Sequence, residues 1–137
     1  MPTVTKQDIV AGLQKLGVRS GDVLQVHSSL SSFGQVDGGA ETVIGALVEA
    51  LTDDGTLMLP SYGDFQGGEY GKVQPNAVIF DVRSSPSKMG RITDVFWRMA
   101  GVRRSIHPGG NGGNGSNGRV TSSFVICLSL IRLSGRL

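Results

Sequence analysis

The chain has 137 residues, a formal net charge of +2 and 39% hydrophobic residues, which predicts one domain large enough to bury a core. Its single cysteine, Cys127, excludes an intramolecular disulfide, and no apolar run approaches the roughly 20 residues that a membrane span requires. The charged residues after Asp94 are all arginines, but they are scattered, so we expect no nucleic-acid or membrane partner and a cytoplasmic protein.

The first predicted element is a helix over residues 5–16. Thr5 and Asp8 have the spacing of a capping box, and Gly17 can adopt the left-handed conformation that ends a helix. The apolar residues recur at helical spacing and predict one buried face, formed by Ile9, Val10, Leu13 and Leu16.

A βαβ unit is predicted next. Residues 23–26 form an apolar strand, residues 40–51 carry a broad apolar stripe typical of a buried helix, and residues 56–59 form a second strand that stops at Pro60. A strand, a helix and a strand in this order favour parallel pairing through a right-handed crossover. The predicted fold class is therefore α/β, with a mostly parallel sheet flanked by helices.

A serine-rich loop separates the first strand from this helix. Residues 27–34 have the sequence His-Ser-Ser-Leu-Ser-Ser-Phe-Gly, which puts hydroxyl and backbone N–H donors at the end of a strand. Open α/β sheets bind ligands at such strand ends, and these donors can hold a phosphate without a lysine. The loop predicts a pocket for a phosphorylated cofactor; the alternative is a solvated connection between strand and helix.

The second half of the chain is less regular. Residues 63–87 have no clean period, and a third helix is predicted at about residues 88–99, with an apolar face formed by Ile92, Val95, Phe96 and Met99. Residues 109–118 contain only glycine, asparagine and serine and predict a flexible linker. Residues 119–137 form an unrelated apolar and basic tail that either adds a strand or a short helix or does not fold with the rest.

Six short motifs follow one another in order along the chain. They lie at residues 21–24, 26–34, 36–40, 55–60, 84–92 and 104–108. Together, over about residues 6–108, they resemble the N-terminal part of the aminoglycoside 3-N-acetyltransferase family, also called the antibiotic N-acetyltransferases. Residues 1–108 are therefore expected to be the N-terminal portion of an acetyltransferase α/β domain.

The resemblance implies acetyl transfer from acetyl-coenzyme A to an amine of an aminoglycoside, an antibiotic-resistance activity, with no metal ion. It also implies that the serine-rich loop and the segment at residues 87–90 hold coenzyme A. The residues implied in cofactor binding are His27, Ser28, Ser29, Leu30, Ser31, Phe33, Gly34, Ser87, Met89 and Gly90.

The resemblance further implies that Tyr62 and Asp64, after the second strand, face the sugar substrate or the acetyl group. An aminoglycoside is a polycation that needs carboxylates, and the candidates in the irregular stretch are Asp64, Glu69 and Asp81.

The reaction needs a base that takes a proton from the substrate ammonium. Two histidines are available. His107 lies in the family's Arg-Ser-x-His-Pro motif and is the candidate catalytic residue. His27 lies at a strand end, where a structural, hydrogen-bonded histidine is the alternative to a ligand-binding one.

The resemblance stops at Pro108, where family members continue into further strands and helices. We therefore expect a truncated or frame-shifted gene product with an incomplete sheet and impaired activity. Two alternatives to an active enzyme are a non-catalytic fragment that binds coenzyme A and an inactive fragment that self-associates through its open sheet.

Overall fold

The computed structural model describes residues 2–61 and 81–104 and the backbone of a strand at residues 128–132. Four predicted site residues, Tyr62, Asp64, Glu69 and His107, lie outside the described residues, as do the predicted linker at residues 109–118 and most of the tail. In the part of the chain that is described, no helix is long and apolar enough to cross a membrane.

Helix α1 (Lys6–Lys15) begins at the predicted capping box. The amide of Asp8 donates to Thr5 Oγ1 over 3.3 Å, and the amide of Thr5 donates to Asp8 Oδ2 over 2.9 Å. Gly17 follows the helix with a φ of 91°, a conformation that residues with a side chain rarely adopt. The predicted capping box and the left-handed Gly17 are confirmed, while the helix ends at Lys15, one residue before the predicted end.

The βαβ unit is also confirmed. Strand β1 (Val23–Gln25) pairs in parallel with β2 (Thr56–Pro60), and helix α2 (Gly39–Leu51) connects them. The helix has a wide apolar face, whose buried residues are Ala40, Val43, Ile44, Ala46, Leu47, Ala50 and Leu51. Because the two strands are parallel, their carboxyl ends lie at the same edge of the sheet.

Two further strands complete the described sheet, in the order β1–β2–β4–β3. They are β3 (Arg103–Arg104) and β4 (Leu128–Arg132), and β4 runs antiparallel to both β2 and β3. Strands β1, β2 and β3 therefore run in one direction, as the predicted sheet requires, while β4 makes both of its pairings antiparallel. Of the outcomes left open for the tail, the structure has a strand, which lies between β2 and β3.

Helix α3 (Arg91–Phe96) is shorter than predicted at both ends. Gly90 precedes it with a φ of 105°, which no helical residue adopts, and the chain turns after Phe96. The predicted face is correct for Ile92 and Phe96, which are buried, but wrong for Met99, which is 41% exposed because the helix ends before it.

The predicted apolar face of α1 also differs from the observed one at its last residue. Leu16 was expected to face the core but is 83% exposed, because α1 ends before it. The other predicted face residues join one cluster with α2, β2 and α3, whose most buried members outside α2 are Leu57, Leu59, Ile92 and Phe96. This cluster covers one face of β2.

Gly55, in the turn between α2 and β2, allows a close approach that a larger residue would prevent. A Cβ there would lie 2.6 Å from Leu51 Cβ and 2.8 Å from the Leu51 carbonyl oxygen. We expect Gly55→Ala to lower the free energy of unfolding by roughly 1–3 kcal/mol, since the backbone must shift. Urea denaturation followed by circular dichroism measures this change.

Gly12→Ala in α1 is the matched control. Among the described residues, a Cβ at Gly12 would meet no atom within 4 Å beyond its chain neighbours and the backbone of its own helix. This substitution should raise the free energy of unfolding by roughly 0.5–1 kcal/mol, because alanine loses less backbone entropy in a helix. Equal effects of the two substitutions would contradict the packing described around Gly55.

Candidate functional site

The serine-rich loop leaves β1 and forms a short 3-10 helix, Leu30–Phe33. Gly34 ends this helix with a φ of 75°. The side chains of Leu30 and Phe33 are partly buried and pack against the core, which anchors the loop. The exposed serines of the loop, which can meet a ligand from solvent, are Ser29, Ser31 and Ser32.

Hydrogen bonding separates Ser28 from its neighbours. Ser29 Oγ and Ser31 Oγ lie 2.8 Å apart and hydrogen-bond each other. Ser28 Oγ is buried and has no hydrogen-bond partner among the described residues. A buried hydroxyl without a partner costs about 1–3 kcal/mol. Ser28 is therefore the hydroxyl that a bound polar group would stabilise most.

His27 is exposed at the end of β1. Its Nε2 lies 3.1 Å from Gln25 Nε2. A glutamine amide nitrogen can only donate, so in this hydrogen bond His27 Nε2 is the acceptor. The histidine thus makes a local hydrogen bond while its ring stays open to solvent.

The second predicted cofactor segment, residues 87–90, lies beside the loop. A Cβ on Gly90 would be 3.8 Å from the carbonyl oxygen of Ser28, so the two segments are neighbours in space. Ser87 is buried, and its Oγ accepts a hydrogen bond from the Met89 amide over 3.2 Å. The chain therefore turns at Ser87 and passes Ser28 at Gly90.

Asp94 in α3 holds this turn in place. Asp94 Oδ1 accepts hydrogen bonds from the Ser87 amide and the Trp97 indole, each over 3.0 Å, and from Arg98 Nη2 over 3.2 Å. Burial alone would raise the pKa of Asp94, but these three hydrogen bonds outweigh it, so the pKa lies below its ordinary value of 3.8.

A cavity of about 750 Å³ opens between α1, β1 and the serine-rich loop. Most of its lining is apolar, and the loop contributes Ser28, Ser29 and Ser32. Apolar walls with hydroxyls at one end suit a ligand that has a polar group and an apolar arm. Among the described residues, no group of three histidine, cysteine, aspartate or glutamate side chains could hold a metal ion.

The family model described as aminoglycoside 3-N-acetyltransferase matches residues 25–110, which is more than half of the chain. The chain belongs to this family. The match begins at the last residue of β1 and includes the serine-rich loop, α2, β2 and the Ser87–Gly90 turn.

Individual acetyltransferases agree with this assignment. Aminoglycoside N(3)-acetyltransferase III from Salmonella sp. is 37% identical over 116 residues, which cover 76% of this chain and 40% of the relative. The structure of aminoglycoside acetyltransferase AAC(3)-IVa is 28% identical, with a TM-score of 0.70, and the alignment covers 96% of this chain and 42% of that one. AAC-IIIb, solved as a binary complex with CoASH, has the same fold with a TM-score of 0.73 at 22% identity, over 95% of this chain and 46% of that one. The chain thus spans less than half the length of each.

Of the residues predicted for the cofactor, the structure brings Gly90 in the second segment beside Ser28 in the first. The predicted catalytic and substrate residues lie outside the described part of the chain. Asp81, a further carboxylate candidate, is exposed and accepts a hydrogen bond from the Arg83 amide over 2.8 Å, which lowers its pKa. It therefore stabilises its own turn while remaining ionised.

Sequence reasoning missed the residues that support the turn. Asp94, Trp97 and Arg98 are spaced three and four apart, which on a helix indicates neighbouring side chains. Arg104 also lies over the Trp97 ring, 4.2 Å from its centroid. The helical spacing could have predicted the Asp94 contacts, whereas the Arg104 contact depends on the path of β3.

We expect the Asp94 hydrogen bonds to make stability depend on pH. Because the pKa of Asp94 is lowered by folding, the ionised carboxylate contributes stability above about pH 4 that is lost as the pH falls through the lowered value. Asp94→Asn should reduce the free energy of unfolding by about 1–2 kcal/mol at pH 6, and its difference from the wild type should shrink toward pH 3. Urea titrations across this range measure the difference.

Asp53→Asn, in the exposed turn after α2, is the control and should stay within about 0.5 kcal/mol of the wild type. A deficit of Asp94→Asn that is constant from pH 6 to pH 3 would mean that the carboxylate charge is not what stabilises the turn.

Proposed function

We propose that this chain binds coenzyme A at the serine-rich loop and the Ser87–Gly90 turn, as the acetyl-donor site of an aminoglycoside 3-N-acetyltransferase. The observation that carries the proposal is the buried Ser28 hydroxyl, which has no hydrogen-bond partner among the described residues, on a residue whose backbone carbonyl lies beside Gly90. A cytoplasmic location, where acetyl-coenzyme A is available, belongs to the same proposal.

Ligands found in solved acetyltransferase structures support coenzyme A as the cofactor and an aminoglycoside as the substrate. AAC-IIIb, which has this fold, was solved with CoASH, and AAC(3)-IVa was solved with a gentamicin and with apramycin. The chain spans about 40% of the length of the Salmonella relative, and we propose that it carries out acetyl transfer as well as coenzyme A binding.

In the proposed site, Ser28 Oγ and the loop amides donate to the diphosphate of coenzyme A. The exposed hydroxyls of Ser29 and Ser31 exchange their mutual hydrogen bond for hydrogen bonds to the same diphosphate. Met89 is half-buried on the facing turn and contacts the pantetheine arm. Charge-assisted hydrogen bonds of this kind are about twice as strong as neutral ones.

In the proposed transfer, the amine nitrogen attacks the thioester carbonyl carbon, the C–N bond forms, the C–S bond breaks and the coenzyme A thiol leaves. His107 is the proposed base for the ammonium proton, and Tyr62 and Asp64 are the proposed substrate contacts.

Thiol release from acetyl-coenzyme A with gentamicin measures this acetyl transfer. We expect it to be slow, because so much of the relatives' length lies outside the match; turnover at about 1 s⁻¹ or faster would contradict that expectation.

Replacement of Ser28 tests the cofactor site. We expect Ser28→Ala to weaken the binding of coenzyme A by about tenfold or more, because it removes a hydrogen bond to a charged group. The protein should be no less stable, since the Ser28 hydroxyl has no partner among the described residues without ligand. Isothermal titration calorimetry with coenzyme A measures the affinity.

Thr42→Ala is the control, because Thr42 lies in α2, outside the cofactor segments. It should leave the affinity for coenzyme A unchanged. The absence of heat at millimolar coenzyme A in the wild-type protein would rule out the proposed site.

We also propose that the chain self-associates through the β1 side of the sheet. Val23 in β1 is 67% exposed, and Leu16 is exposed beside the apolar cavity between α1 and β1. Exposed apolar residues at a strand of this kind favour pairing with a second copy. Size-exclusion chromatography with light scattering tests this; a monomer at 100 µM, on the order of the concentrations at which such association occurs, would exclude it.

A further inference from the structure

We propose that Arg104 is a positioning residue that holds the Ser87–Gly90 turn beside Ser28. This inference deepens the proposed function and rests on it for the identity of the ligand. It concerns an arginine that lies outside both proposed cofactor segments and contacts the chain on both sides of residues 62–80.

The guanidinium of Arg104 joins the end of β2 to the residues before the turn. Its Nη1 donates to the Ser85 carbonyl oxygen over 2.5 Å and lies 3.5 Å from that of Val82. Its Nη2 donates to the carbonyl oxygen of Ser61, and its Nε donates to Ser61 Oγ over 3.3 Å. Ser61 is fully buried. Arg104 therefore fixes residues 82–85 against β2.

A second route leads from Arg104 to the turn. Its guanidinium lies 4.2 Å from the Trp97 ring centroid. The Trp97 indole donates to Asp94 Oδ1, and the same oxygen accepts from the Ser87 amide. Arg104 thus holds the Ser85 carbonyl directly. It holds the Ser87 amide indirectly, because it contacts Trp97, which bonds the carboxylate that accepts from this amide.

Only arginine can make this set of contacts. A planar guanidinium stacks on an aromatic ring and directs several N–H donors outward at fixed angles, whereas a lysine ammonium is a compact charge. Arg98 lies over the same ring at 4.2 Å, but its side chain is 49% exposed and it bonds Asp94. Arg104 is the arginine of this pair that reaches Ser61 and Ser85.

The position of the turn determines the shape of the proposed cofactor site. Ser87 Oγ accepts from the Met89 amide, and Gly90 passes the Ser28 carbonyl. If residues 82–87 lose their attachment to β2, Met89 and Gly90 lose their position relative to Ser28. The affinity for coenzyme A should then fall although both cofactor segments keep their own side chains.

Arg104→Lys tests the inference by two measurements, with Arg103→Lys as the matched control. Arg103 is the preceding residue of β3 and is exposed. Hydrogen exchange without ligand, followed by NMR, should be about tenfold faster at the Ser87 and Met89 amides in Arg104→Lys, with little change in α2. Calorimetry should show coenzyme A binding weakened by about tenfold. Arg103→Lys should change neither.

Trp97→Phe gives a second, milder variant should Arg104→Lys unfold. It keeps a ring under Arg104 but removes the indole N–H that bonds Asp94. We expect faster exchange at the Ser87 amide and weaker coenzyme A binding in this variant, with α2 unchanged.

The outcomes separate the two proposals. Unchanged exchange at Ser87 and Met89 in these variants would overturn the positioning role of Arg104. Faster exchange with full affinity for coenzyme A would also overturn it, because the turn would then not need Arg104 to serve the ligand. Absence of coenzyme A binding in the wild-type protein would overturn the proposed function, while the exchange data would still decide whether Arg104 holds the turn.

Discussion

The packing of α2 on β2 is the constraint on which the candidate site depends. The buried face of the helix holds β1 and β2 in parallel register, so both strands end at one edge of the sheet. Ser28 follows the first strand and Ser61 follows the second. Arg104 in β3 joins the second strand end to Ser85 and stacks on Trp97 at the end of α3, so the turn before α3 is attached to this edge.

At this edge, the buried and half-buried polar groups fall into two kinds. Asp94, Trp97, Arg104 and Ser61 satisfy one another and the carbonyls around them, and such a connected network is rigid. Ser28 Oγ is buried without a partner in the described part of the chain. A rigid frame around one unsatisfied hydroxyl is the arrangement expected of a binding site, because the frame fixes the geometry and the ligand supplies the missing hydrogen bond.

Much of this architecture follows from the sequence. Hydrophobic periodicity predicted α1, α2 and the two parallel strands, and the Thr5–Asp8 spacing located the start of α1. The ends of α1 and α3 were placed less well, because Leu16 and Met99 continue an apolar pattern beyond the turn where each helix ends. The tail strand was left open, since a short apolar run can form a strand or a helix with equal ease.

The site was predicted in part. The motif resemblance named the loop and the turn, and the structure shows that Gly90 and Ser28 are neighbours. Composition could not show which serine lacks a partner, because hydrogen bonding between Ser29 and Ser31 depends on the 3-10 helix. Composition also could not show that the Arg104 side chain contacts Ser61 at the end of β2, since these residues are distant in sequence.

We propose that the serine-rich loop and the Ser87–Gly90 turn form one binding site for coenzyme A. Chemical-shift mapping tests it most directly: the ¹⁵N-labelled chain is titrated with coenzyme A, and the backbone amides are followed. We expect saturable shifts at residues 28–34 and 87–90 together, with a single dissociation constant, and little change at the start of α1. Shifts confined to one of the two segments, or absent from both, would contradict a shared site.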